Sequence, residues 1–490
     1  RQANSKSFTS AGFQAGISCA ALHASTGSRT LTGTARSKFF EQRFSSAQAT
    51  ATAEQLSAAL DANDREQLLR LCRRVGSKLT VKTEQFEESL AHHLAWKPYG
   101  LDCLKVLVER LGPSCLTQAR DQYGNAPLHW VAFCQDENFM EFIHSRIGAE
   151  CFELKGRYSR SIAFFAAENN RSNSILKWIA RKKGPGFLTA VDSNGNSPVH
   201  RAAGCQGSDS MQFFKSLFGP DCFFQKGDLG RTAFHYAAMN GSSNSALKWL
   251  VSECGSDCLM EKDDQGSTPI HLAALEQGED SMQFIKEQLG SLVFMLKGLN
   301  GETSVHIAAR NTSSNSAFAW CIKELGARCL LVKDSYQRLP IHLAARHQDE
   351  KSMQLAVSSL GPDCLKMAAE QQRTAVHFAA MNSSSSSALR WIVGQLGPDC
   401  LQLRDSEGSM ALHLAAQHQG VDSLRLIKET LGVAAFRLTG HRGQTVAHYA
   451  AANSEKQQLM AWLVTEVGPR CLVVVDEQGR MAADLAGYYE

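Results

Sequence analysis

The chain has 490 residues, of which 43% are hydrophobic and 20% are charged, as in an ordinary folded protein. Its formal net charge is only +3, and residues 1–50 hold six basic groups and one acid, so the rest of the chain is close to neutral. A near-neutral body disfavours nucleic acid as the main ligand, because phosphate binding needs concentrated positive charge. No apolar run approaches the roughly 18 residues of a membrane helix, so we expect no membrane span.

The first 84 residues lack the motif that dominates the rest of the chain. Residues 1–50 are rich in Ser, Thr, Ala and Gly, which predicts a disordered segment; the alternative is an organelle-targeting segment. Residues 51–84 have a helical pattern, and we interpret them as an N-terminal helical cap. Because the chain starts at Arg1 rather than Met and ends inside a repeat, we expect a fragment or a processed form.

A heptapeptide of the form Thr-Pro-Leu-His-x-Ala-Ala recurs along residues 85–490. A degenerate early copy places His93 at the histidine position, Phe164 fills one copy, and Asp484 fills the last, truncated copy. Successive copies from His93 onward are alternately 36 and 35 residues apart, so the repeating unit is a two-repeat block of 71 residues. The histidines of the clear copies are His129, His200, His235, His271, His306, His342, His377, His413 and His448.

Each copy predicts two helices. In residues 263–274, Asp263 and Gly266 suit a tight turn, Thr268 is placed to cap a helix, and a proline follows at its first position. The apolar residues of 280–289 form one stripe of a second helix, which Gly290 ends. A single unit cannot bury this stripe alone, so the units are expected to stack.

The heptapeptide, preceded by Asp-x-x-Gly, resembles the ankyrin repeat, whose usual period is about 33 residues. This chain departs from that family in its longer period and in the Gly-Pro-Asp-Cys-Leu sequence that follows the second helix at residues 361–365 and 397–401. The resemblance implies an all-α helix-turn-helix solenoid with short hairpin loops, a curved stack of about 11–12 repeats over residues 85–490. In that family the motif histidine is structural and hydrogen-bonds the turn.

The recurring histidines, cysteines and tryptophans are better explained by stacking than by chemistry. Neighbouring helices lie about 8–10 Å apart, too far for equivalent histidines to share one metal ion or for equivalent cysteines to form disulfides. The tryptophans at 71-residue spacing favour core packing, with an exposed aromatic ladder as the alternative. We found no nucleotide-binding, metalloprotease or serine-hydrolase motif, and therefore expect no catalytic residue, no metal and no cofactor. The tryptophans are Trp178, Trp249, Trp320, Trp391 and Trp462.

The resemblance also implies where a partner would bind. Ankyrin-like proteins grip other proteins with their hairpin tips and with first-helix residues on the concave side. We therefore expect a non-catalytic protein-interaction scaffold, with one or more proteins as partners and a monomeric array. The alternative is the recognition arm of a larger enzyme or channel. Carried over by position, the binding residues are Tyr123, Arg157, Tyr158, Asn194, Gln265, Asn300, Tyr336 and Arg442.

The fifteen cysteines do not form the pattern of a small disulfide scaffold, because eight of them recur in one context just after the second helix. We therefore expect a reducing compartment and a cytoplasmic protein. The targeting alternative for residues 1–50 would change that assignment. The serines of residues 383–387 are interpreted as a solvated loop.

Overall fold

The computed structural model of the protein describes residues 55, 56, 58, 59, 62, 64–73, 89–97 and 100–488. The predicted disordered or targeting segment at residues 1–50 lies outside these residues, and the predicted cap at 51–84 is described only in part. The described part of the chain contains 25 α-helices and no strand, which confirms the predicted all-α class. It divides into two units, Arg1–Leu259 and Met260–Glu490.

The described helices of the first unit begin with α1, which lies within the predicted cap, packs against α3 and buries Leu68 and Leu71. They are α1 (Arg65–Cys72), α2 (Leu90–Trp96), α3 (Gly100–Leu111), α4 (Pro127–Cys134), α5 (Glu137–Ile147), α6 (Glu150–Glu153), α7 (Ile162–Glu168), α8 (Ser174–Lys183), α9 (Pro198–Cys205), α10 (Ser208–Phe218), α11 (Ala233–Ala238) and α12 (Ser245–Cys254).

The second unit continues the alternation of a short first helix and a longer second helix. Its helices are α13 (Pro269–Glu276), α14 (Glu279–Leu289), α15 (Ser304–Ala308), α16 (Ser316–Leu325), α17 (Pro340–His347), α18 (Glu350–Leu360), α19 (Ala375–Ala380), α20 (Ser387–Leu396), α21 (Ala411–His418), α22 (Val421–Leu431), α23 (Val446–Ala451), α24 (Lys456–Glu466) and α25 (Ala482–Tyr488).

Within each unit, every first helix packs against the first helix of the next repeat: α2, α4, α7, α9 and α11 in one unit, and α13, α15, α17, α19, α21, α23 and α25 in the other. The paired alanines of the motif, such as Ala273 and Ala274, are fully buried at these contacts. Their small side chains let neighbouring helices approach closely. Large side chains such as Phe214 and Phe318 fill the space beside the second helices.

A 3₁₀ turn follows most second helices. These turns begin after a glycine of positive φ, such as Gly361 (φ 82°). The turns are Pro113–Leu116, Pro185–Thr189, Pro220–Phe223, Ser256–Met260, Ser291–Met295, Ala327–Leu331, Pro362–Lys366, Pro398–Gln402, Val433–Arg437 and Pro469–Leu472.

Candidate functional site

The motif histidine joins the start of its own helix to the next hairpin. In α13, the backbone N–H of Thr268 donates to His271 Nδ1 at 3.2 Å, and the Thr268 hydroxyl lies 2.9 Å from the same atom. On the other side of the ring, His271 Nε2 donates to the Leu296 carbonyl at 3.0 Å. The imidazole therefore satisfies backbone groups of two separate segments.

The same arrangement recurs at other copies, with three different spacings between the histidine and the carbonyl that it contacts. Nε2 reaches a carbonyl 25 residues ahead at His200, His271, His342 and His413, 26 ahead at His377, and 32 ahead at His306 and His448. At the other end of the ring, His129 Nδ1 accepts from the Ala126 backbone N–H, and His235 Nδ1 accepts from the Thr232 backbone N–H. Because Nδ1 accepts and Nε2 donates, the bonded rings are neutral; burial lowers the pKa of His342 to about 4.

The assignment of His93 to the first copy was wrong by one residue. His92 occupies the third position of α2, accepts from the Ser89 backbone N–H at 3.1 Å and contacts the Asn125 carbonyl through Nε2 at 3.0 Å. The strict 36/35 alternation suggested His93, whereas the position of the cap Ser89 selects its neighbour. At the other end of the array, Asp484 Oδ2 accepts from the Met481 N–H at 2.9 Å.

The recurring cysteines and tryptophans lie in or beside the core. Cys222, Cys329 and Cys400 are buried free thiols, and burial raises the pKa of Cys329 to about 12. Trp178 and Trp320 are buried, and the ring of each stacks or meets edge-on with a phenylalanine of the preceding repeat, at 5.5 Å from Phe152 and 5.1 Å from Phe294.

No group of three or more His, Cys, Asp or Glu side chains among the described residues could hold a metal ion. A cavity of about 270 Å³ in the first unit is lined by residues that include Leu188, Val199 and Cys222. Burial raises the pKa of the Cys222 thiol to about 12, so this thiol stays protonated near neutral pH and is a poor nucleophile. Over the same residues, no helix is both long and apolar enough to cross a membrane.

The predicted partner-binding residues lie at the hairpin tips, and most are exposed. Tyr123 is 48% exposed and Tyr336 is 44% exposed, whereas Gln265 is less exposed and half-buried. The tips are of two kinds. In the first kind, an aspartate carboxylate accepts hydrogen bonds from backbone N–H groups of the tip. Asp121, for example, accepts from the backbone N–H groups of Tyr123 and Asn125. The remaining exposed members of the predicted set are Arg157, Tyr158, Asn194, Asn300 and Arg442.

In the second kind of tip, a residue other than glycine adopts a left-handed backbone conformation. Tyr158, Asn300 and Arg442 have φ of 57°, 54° and 54°. The turn at Tyr158 needs a glycine beside it, because a Cβ on Gly156 would lie 2.5 Å from Asn125 Oδ1. That oxygen accepts from the Arg157 backbone N–H, so the close approach connects one tip to the next.

The structure brings some predicted residues together and leaves others apart. In the first unit, the Arg157 guanidinium lies 4.9 Å from the Tyr123 ring centroid and 4.6 Å from that of Tyr158. The Tyr158 carbonyl accepts from the Ser193 backbone N–H, which places the Asn194 tip next in line. In the second unit, the Asn300 carbonyl accepts from the backbone N–H of Ser335, beside Tyr336.

A set of buried amides was missed in the sequence. Gln348 Nε2 donates to the carbonyls of Ala308 and Asn311, and Asn382 Nδ2 donates to the Gln348 carbonyl. These bonds satisfy carbonyls at the ends of first helices. The 71-residue spacing could have revealed them, because glutamine recurs at 135, 206, 277, 348 and 419 and asparagine at 169, 240, 311, 382 and 453.

Stacked helix pairs with a buried structural histidine and exposed hairpin tips define a helical-repeat protein. Residues 200–293 match the family model of ankyrin repeats in three copies. Residues 200–293 therefore consist of ankyrin repeats, as their motifs predicted, and this match supports an ankyrin-repeat protein. No curated protein matches it. Ankyrin repeats are generally protein-interaction modules and are typically not catalytic.

Proposed function

We propose that this chain is a non-catalytic protein-interaction scaffold that binds its partner along the hairpin tips and the adjoining first-helix face, the concave face in this family. The observation that carries the proposal is the exposed tip cluster of Tyr123, Arg157 and Tyr158. Tyrosine and arginine are enriched at the energetic centres of protein interfaces. The cation–π contacts hold these rings in place, which lowers the entropy lost on binding.

The tips fit a protein partner better than a nucleic acid. They present tyrosine, asparagine and glutamine together with two arginines, Arg157 and Arg442. The Arg157 guanidinium already lies against the rings of Tyr123 and Tyr158. The free, buried thiols fit a reducing compartment such as the cytoplasm, where we place the protein.

Affinity capture from native lysate tests the proposal, with the full chain as bait. Tyr123, Tyr158, Tyr336 and Arg442 are changed to alanine together in a tip variant. A matched control changes four exposed residues of the second helices, Lys177, Gln354, Arg390 and Glu429, to alanine. We expect the tip variant to lose the proteins that the wild-type chain and the control variant retain. Identical capture by all three would overturn the assigned surface.

A further inference from the structure

Four arginines meet on the first-helix side of the second unit. Arg310 follows α15, Arg346 lies in the last turn of α17, and Arg338 and Arg373 precede α17 and α19. These three helices pack side by side. Each of the three other guanidinium groups contributes positive charge at Arg346, so the four form one electrostatic cluster.

Three of the four arginines are neutralised within the protein. Arg310 and Arg338 both pair with Glu302, at 2.9 and 2.8 Å, and the Glu302 side chain is only 1% exposed. Arg338 also pairs with Asp334 at 2.6 Å, and Arg373 pairs with Asp405 at 2.9 Å. The charge of these three arginines is therefore matched by acids inside the fold.

Arg346 is the exception. It is half-buried, and among the described residues it has no hydrogen bond or ion pair. Burial, followed by the positive charge of Arg338, Arg310 and Arg373, lowers the pKa of its guanidinium. The carboxyl end of α17 offers only a partial negative charge. A partly desolvated cation without a counter-charge is unfavourable in the free protein.

The two neighbouring histidines, His347 and His418, are uncharged near neutral pH and leave the charge of Arg346 unmatched. His347 adjoins Arg346 in α17, and its pKa is lowered to about 4 by burial and by Arg346, Arg310 and Arg338. Burial together with Arg346 and Arg373 likewise lowers the pKa of His418. Both rings are neutral near pH 7 and can donate one N–H each.

The repeat architecture does not require arginine at this position. The residues that occupy it in the other 71-residue blocks are Phe133, Gly204, Leu275, Gln417 and Tyr488. None of them carries a charge, so stacking of the first helices proceeds without one. The positive charge at residue 346 is a feature of this block alone and calls for an external counter-charge.

We propose that Arg346, flanked by His347 and His418, binds a carboxylate side chain on an acidic segment of the partner protein. This inference rests on the proposed scaffold function and names the chemistry of its partner. A guanidinium binds a planar carboxylate through two parallel hydrogen bonds. One unmatched positive charge fits a singly charged carboxylate, because the other three arginines are already paired.

The test measures binding of a fluorescein-labelled hexaglutamate peptide to the full chain by fluorescence anisotropy at low ionic strength. Arg346→Leu introduces the residue found at the equivalent position 275, and we expect it to weaken binding about tenfold or more. Arg328→Leu is the matched control, because Arg328 is exposed, lies in the same unit and is outside the cluster. We expect this control to bind as the wild type does.

Several outcomes would overturn the inference. The first is that Arg346→Leu binds hexaglutamate as tightly as the wild type does. The second is that labelled hexaglutamine binds the wild type as tightly as hexaglutamate does. The third is that inorganic phosphate displaces the peptide at a concentration similar to that of the peptide, which would make this a phosphate site. The urea midpoint of each variant establishes that it is folded, and Arg346→Gln, after Gln417, replaces the leucine variant if that one unfolds. Loss of partner capture by the tip variant, together with normal peptide binding by Arg346→Leu, would refute this inference and leave the scaffold function standing.

Discussion

At the scale of single residues, the motif histidine owes its place to geometry that few other side chains have. Its two ring nitrogens point in opposite directions, so one accepts from the helix cap while the other donates to the following hairpin. In the repeat that has Phe164 at this position, the ring is buried and contributes packing alone. The histidines are therefore parts of the framework that hold the tips in position.

Replacing one such histidine tests this role. We expect His342→Gln to lower the free energy of unfolding by about 2–4 kcal/mol, because it disturbs buried bonds to Leu339 and Met367. Urea denaturation measures the change. His347→Gln is the matched control in the same helix, because His347 makes no hydrogen bond among the described residues, and it should change stability much less. Equal effects of the two substitutions would contradict the framework role.

The same histidines predict how stability depends on pH. In the folded protein, burial lowers the pKa of His306, His342 and His413 to about 4, from an ordinary value of 6.5. The unfolded chain therefore binds more protons in this range. Stability is fully present above about pH 6.5 and is lost as pH falls toward 4, by about 1.4 kcal/mol per pH unit for each such histidine.

Urea denaturation between pH 7 and about pH 5 isolates this effect. The carboxylates whose pKa is lowered in the fold, such as Glu324, begin to lose their stabilising contribution only at lower pH. The slope should shrink in His342→Gln. A stability that stays constant across this interval would show that the imidazoles are not held neutral by the fold.

At the scale of secondary-structure elements, the hairpins alternate between two designs. Tips with an aspartate place glycine in the left-handed region, as at Gly266 (φ 78°) and Gly408 (φ 83°). One such tip departs from the pattern, because Gln337 takes the same conformation with φ 58°. An L side chain there is strained, since its Cβ approaches the backbone.

A reciprocal pair of substitutions tests this strain. We expect Gln337→Gly to raise the free energy of unfolding by about 0.5–1 kcal/mol and Gly266→Ala to lower it by about 1 kcal/mol. A Cβ on Gly266 would meet no other atom within 4 Å, so its cost comes from the backbone conformation alone. Urea midpoints for the two variants give the comparison. If Gln337→Gly proves destabilising, the side chain of Gln337 makes a compensating contribution.

At the scale of the whole molecule, the array is built from contacts between neighbouring repeats. The reactivity of its buried thiols depends on whether those contacts are intact. Cys321 and Cys329 are buried, whereas Cys254 is only half-buried. Burial raises the pKa of all three thiols. The reactive species is the thiolate, so buried thiols react slowly while the fold is intact.

Iodoacetamide labelling across a urea series, read by peptide mass spectrometry, tests this expectation. Cys321 and Cys329 should be modified only as the chain passes through its unfolding transition. Cys254 should be modified measurably faster in the native protein and serves as the internal comparison. Labelling of Cys329 in the native state at the rate of Cys254 would contradict the packing described for the second unit.

The sequence by itself determined the class of this protein. The 71-residue period, the cap–proline–histidine motif and the apolar stripes predicted a stack of helix pairs, because local capping and neighbour-to-neighbour packing depend on residues close in the chain. The position of the tips followed from the same period. One error shows the limit: spacing favoured His93, but the cap at Ser89 selected His92.

Only the tertiary structure decided how side chains from different repeats meet. The bonds from Gln348 to Ala308 and Asn311 and the stacking of Arg157 on Tyr123 join segments more than 30 residues apart. The sequence likewise does not predict that Arg338 is paired with acidic side chains and that Arg346 is not. Pairing depends on which acids the stack brings within a few ångströms, and repeat spacing alone does not specify it.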